Sequence, residues 1–90
     1  MHDEITNGPW WTGDRLALAF WALLAGERYL CRITYEALDD DYPARRVPNR
    51  IDIFQENRID ILRRARHLLP ENPVVEEGKA TVVIGTGQGL

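Results

Sequence analysis

Chemistry needs converging polar groups, and this sequence offers few of them. There is no serine, so a serine nucleophile is excluded. His2 and His67 are far apart in the sequence, and two histidines with one cysteine do not make a specific metal signal. Cys31 alternates with polar neighbours in Arg28–Thr34 and falls on the apolar side of that run. A reactive thiol needs an accessible, electropositive setting, so Cys31 is expected to be an inert core residue. Asp39, Asp40 and Asp41 put three carboxylates side by side. Calcium loops instead space their ligands at alternating positions around a glycine, so a solvated acidic segment is expected here. Gly85, Gly87 and Gly89 follow a β-branched run, but a phosphate-binding loop also needs a helix N-terminus after it, and no helix-forming run follows. Residues 85–90 are expected to be a flexible tail.

The remaining oddity is Arg58. From Asn49 to Leu69 the chain has no glycine or proline, and Ile51, Phe54, Ile61, Leu62, Ala65, Leu68 and Leu69 recur at helical spacing. Arg58 falls inside that stripe. Its stem could pack on the core while its guanidinium meets Glu36 or the aspartates at 39–41, or it could anchor an anionic ligand. Arg58 and Glu36 are therefore the candidate ligand-binding or ion-pairing residues. No catalytic residue, metal ligand or cofactor is assigned, and whether the protein is an enzyme is left open, leaning to no.

Composition narrows the classes. Ninety residues with 44% hydrophobic content make one small domain. Net charge is −3, which argues against a nucleic-acid binder. A single cysteine excludes an internal disulfide and suits a reducing cytoplasm. The run Leu16–Gly26 is shorter than the roughly 20 residues of a membrane span. Asp3, Glu4 and Asp14 outweigh Arg15 ahead of it, unlike an export signal. Neither a membrane nor a nucleic-acid partner is expected.

The elements that would position these residues follow in order. Residues 1–15 are interrupted by Asn7-Gly8-Pro9 and Thr12-Gly13-Asp14, so they are expected to be irregular, with Ile5 in at most a short edge strand. Trp10 and Trp11 are expected to cover one end of the core. Residues 16–24 and 28–34 read as a β-hairpin around Ala25-Gly26, with Leu18 and Phe20 facing one way and Trp21 and Leu23 the other. Thr34 is an N-cap for a short helix from Tyr35 to about Asp41, and Asn49 one for the long helix. In that helix Asp52, Glu56 and Asp60 precede Arg63, Arg64, Arg66 and His67, which suits the macrodipole, and Asp60 can pair with Arg64 at i+4. His67 is expected on the polar face. Residues 45–48 form a linker, Pro70 and residues 71–73 a stop and turn, and 76–79 a polar connection into a last strand from Ala80 to Ile84.

Phe20-x-Ala22-x-x-x-Gly26, then Cys31-Arg32-Ile33-Thr34 with Glu36-Ala37-Leu38, resembles a family of small bacterial proteins known as domain of unknown function 1488. The similarity runs on through Phe54, Asn57-Arg58, Ile61 and Ala65 to Val82-Val83-Ile84 and Thr86. Such proteins open with a strand, which HDEITNGP matches less clearly. The resemblance implies a fold and carries no function.

The expected fold is α+β. A small antiparallel sheet, the hairpin plus the C-terminal strand, packs against one long amphipathic helix and one short helix. One helix layer leaves Trp21 and Leu23 uncovered, and Ile53 and Ile59 project off the helix stripe. Trp21, Leu23 and Ile53 are therefore the candidate interface for a homodimer or a protein partner. The expected function is a small cytoplasmic, non-catalytic self-associating or protein-interaction module. The alternative is a binder of an anionic small molecule, or an enzyme, using Arg58.

Overall fold

The computed structural model describes residues 2–43, 49–69, 74–76 and 79–90. The expected linker at 45–48, the stop and turn at 70–73 and the middle of the connection at 77–78 lie outside the described residues. The class is α+β. Strands β1 (Glu4–Trp11), β2 (Ala17–Leu24) and β3 (Glu27–Thr34) are followed by helices α1 (Tyr35–Asp41), α2 (Arg50–Glu56) and α3 (Arg58–Leu68). Strands β4 (Val74–Glu76) and β5 (Lys79–Ile84) close the order.

The hairpin is the centre of the sheet. β2 is mostly Ala and Leu and holds no Val or Ile, but strict pairing from Ala17↔Thr34 to Leu24↔Glu27 makes strand of a run that helix propensity would favour. Its turn is Ala25-Gly26, both at positive φ (51° and 86°), the geometry that matches the twist of the flanking strands. The sheet order is β1-β2-β3-β5-β4. It is mixed rather than antiparallel, because β5 runs parallel to β3 in the register Cys31↔Val82 and Ile33↔Ile84. Parallel neighbours need a crossover, and the helical segment between them supplies it.

Residues 4–11 form a full edge strand where an irregular segment was expected. The turn-forming residues there are absorbed in register shifts between Ile5 and Asn7 and between Asn7 and Trp10. Gly8 lies at φ 105°, and a Cβ on it would come within 2.9 Å of the Phe20 Cα, so glycine is what lets the bulged strand approach β2.

Even-numbered β2 residues Leu18, Phe20, Ala22 and Leu24 join Cys31, Ile33, Val82 and Ile84 on the inner face. The helices place Ala37, Leu38, Ile53, Phe54, Ile61 and Ala65 against them, and Phe20 meets Phe54 edge-on at 5.0 Å. Both predicted caps form: the Thr34 side chain accepts from the Ala37 N–H and that of Asn49 from the Ile51 N–H.

The single long helix is broken. At Asn57 the backbone turns to φ −115°, ψ 17°, and its N–H is shared between the carbonyls of Ile53 and Phe54. The Asn57 side chain donates to the same Ile53 carbonyl at 2.9 Å. Among the described residues no helix is long and apolar enough to cross a membrane.

Candidate functional site

Arg58, expected inside the apolar stripe, opens α3 on the solvent side and donates Nη1 to Gln55 Oε1 at 2.8 Å. Glu36 is exposed in the first turn of α1, and no ion pair joins it to Arg58 among the described residues. The sequence-predicted pair is therefore not brought together. Arg58 instead rims an open cleft of about 890 Å³ between the start of β1 and the α2–α3 junction. Ile5, Ile59 and Leu62 supply its apolar part, and Ile59 is 83% exposed. Asp3, Glu56, Asp60 and Arg63 line it as well, so its rim carries charges of both signs.

The charge that does enter the core is Arg64. At 100° per residue the buried residues Ile53, Phe54, Ile61 and Ala65 share one arc, and Arg64 falls inside it while Arg58 falls just outside. Arg64 is fully buried. Its Nη2 donates to Asp41 Oδ2 at 2.7 Å and to the Gly85 carbonyl at 3.1 Å. Nη1 donates to the Tyr42 hydroxyl at 3.1 Å and Nε to the Gln88 carbonyl at 2.8 Å. The expected Asp60–Arg64 pair is not formed. Asp60 takes Arg63 at 2.8 Å and the Tyr42 hydroxyl.

These bonds also correct the acidic segment. Asp39 is gripped by Arg50 through both Nε and Nη2 (3.0 and 2.7 Å). Asp41 is 8% exposed at its side chain and accepts from the Gly87 N–H as well as Arg64. Asp40 remains exposed beside Thr86. The expected flexible tail is likewise a turn held on Arg64, with the Gln88 N–H bonded to the Gly85 carbonyl and its side chain to the Gly85 N–H. Gly89 sits at φ 72° with the Arg64 carbonyl 2.9 Å from where a Cβ would stand. Every group in this cluster is committed to another, which is the chemistry of a structural anchor rather than of a binding site.

Cys31 is fully buried on the inner face, and desolvation pushes its thiol up to about 12. His67 is exposed. Among the described residues no group of three His, Cys, Asp or Glu side chains could hold a metal ion.

The outer face of the sheet is the other unassigned surface. Direct cross-strand partners point the same way, so the register defines its rows. One row reads Glu4, Leu23, Arg28; the next Asn7, Trp21, Leu30, Thr81, the last of them buried; the third Trp10, Ala19, Arg32, Val83. The core-lining helical residues all pack on the inner side. Trp10 and Val83 are 38% and 37% exposed, and Trp21, Leu23 and Leu30 are half-buried. The Arg28 guanidinium stacks 4.6 Å over the Trp21 ring. Trp21 and Leu23 thus lie where the alternation put them. Ile53 does not: it is 5% exposed and part of the core, while Ile59 is the isoleucine left outside.

A family model described as "Protein of unknown function (DUF1488)" matches residues 6–82. The chain belongs to the DUF1488 family. A crystal structure of a DUF1488 protein of unknown function from Shewanella loihica PV-4 is similar, with a TM-score of 0.65 and 23% identity over 89% of this chain and 90% of that one. The likeness is one of fold. No curated protein matches the chain. The DUF1488 match stops short of Gly85–Gly89, so the turn that binds Arg64 lies beyond it.

Proposed function

We propose that this DUF1488 protein is a small cytoplasmic, non-catalytic module that associates with a second copy of itself through the outer face of its sheet. The observation that carries this is a five-stranded sheet with its helical layer on one side and a run of Trp10, Trp21, Leu23, Leu30 and Val83 on the other. Sheets of this kind bury both faces or present one polar face to water, and this outer face is neither. The non-catalytic part is supported by groups among the described residues: the thiol of Cys31 is buried, and the carboxylates of Asp39, Asp41 and Asp60 are each tied to an arginine. A free thiol without a disulfide partner suits the cytoplasm. Multi-angle light scattering of the full chain tests the reading. Twice the 10.4 kDa of one chain is expected at tens of micromolar, falling to one chain for Trp21→Glu. A wild-type protein that stays monomeric there overturns it.

A further inference from the structure

Resting on that self-association, we infer that the two copies pack face to face about a twofold axis that runs along β2 in the plane between the sheets, with Glu4 of each copy set against Arg28 of the other. Rotation about such an axis keeps a residue's height along the strand and reverses its side-to-side position. In the row Glu4, Leu23, Arg28 it therefore lays Leu23 on Leu23 and exchanges the two flanking charges. Both charges are exposed, and neither forms an ion pair within the chain among the described residues. Stacking on Trp21 holds the Arg28 guanidinium over the face, where it can meet a second copy.

In the neighbouring rows the same axis sets Trp21 on Trp21 and Ala19 on Ala19, and brings Trp10 opposite Arg32 of the second copy. Ala17 and Ala19 keep that end of β2 low, so two sheets can reach the roughly 10 Å separation of a packed sandwich. Axes along the flanking strands fail on charge. An axis along β3 sets Arg28 on Arg28, and one along β1 sets Glu4 on Glu4. An isologous contact must be self-complementary, and the charges on this face are so about β2.

Charge reversal tests the register by sedimentation equilibrium on full-length chains. Glu4→Arg and Arg28→Glu, each alone, are expected to raise the dimer dissociation constant at least 10-fold. An equimolar mixture of the two, and the double variant, are expected to recover the wild-type constant, because every Arg then meets a Glu. Circular dichroism checks that each variant is folded. Should a reversed chain not fold, Glu4→Ala and Arg28→Ala replace it, and the doubly substituted chain is expected to be no weaker than either alone. A wild-type dimer whose constant ignores these changes, or a mixture that does not recover, overturns the axis while self-association stands. A wild-type monomer overturns both.

Discussion

Arg64 and Asp41 pair across 2.7 Å with side-chain exposures of 0% and 8%, so the end of α1 is tied to the middle of α3 through a desolvated ion pair. The turn at Gly85–Gln88 closes over the same guanidinium with two carbonyls. Three stretches distant in sequence therefore share one cation. Removing one member of a buried pair strands the other, at a cost of about 3–5 kcal/mol. Asp41→Asn and Arg64→Leu are each expected to lose that much stability in urea unfolding. Arg58→Leu, at a residue bonded only to exposed Gln55 among the described residues, is expected to change stability by less than about 0.5 kcal/mol.

Ala25 holds a positive φ of 51° at the first position of the hairpin turn, beside Gly26 at 86°. An L-residue with a Cβ is strained there by about 1 kcal/mol, which asparagine and glycine largely escape. The Ala25 N–H is bonded to Asp3 Oδ1 and needs no change in either substitution. Ala25→Asn and Ala25→Gly are expected to raise stability by roughly 0.5–1 kcal/mol, read as a higher denaturation midpoint with an unchanged slope. No gain in either would mean that the turn is unstrained.

Acid should loosen the protein through its depressed carboxylates, Asp39 and Asp60 among them. The hydrogen bond from Arg50 holds Asp39 below its ordinary value of 3.8, and the Tyr42 hydroxyl, with Arg63, does the same for Asp60. A carboxylate depressed in the folded state contributes stability that is present above the unfolded value and lost as pH falls through the folded one. The loss is therefore expected from about pH 4 downward. Arg50→Gln should flatten this dependence in acid titrations followed by circular dichroism. An unchanged acid midpoint would show that Asp39 contributes nothing.

The hairpin and the two helix caps were legible because they are local: the alternation around Cys31, the Ala25-Gly26 break, and Thr34 and Asn49 ahead of helical runs. β1 was hidden because Gly8 and Pro9 read as a turn, whereas in the sheet they occupy bulges against Phe20. The parallel course of β5 depends on a crossover that no local pattern announces. The break at Asn57 has no glycine or proline to mark it, and Arg58 rather than Arg64 was placed in the stripe because Ile51, Leu62 and Leu69, which are only half-buried, drew its centre to their side. Of the candidate surface, Trp21 and Leu23 followed from period two. Ile53 was misplaced by the same centring of the stripe, and Trp10 joined the face only because β1 is a strand.

Alkali should act through Cys31. Burial raises its thiol from 9.0 to about 12, so folding favours the protonated form. A group raised in the folded state contributes stability that is complete below the unfolded value and lost as pH rises towards the folded one. Stability is thus expected to fall between about pH 9 and pH 12, by at most about 1.4 kcal/mol per pH unit from this group. Tyr29 and Tyr42, also raised by burial, add to the decline in the wild-type protein. Cys31→Ala isolates the thiol: it should be less stable at pH 7, because a buried side chain is shortened, yet lose stability less steeply above pH 9. Urea unfolding at pH 7, 9 and 10 measures both effects, and parallel pH dependences in the two proteins would show that the thiol is not buried. The same burial predicts that Ellman's reagent modifies Cys31 no faster than the protein unfolds.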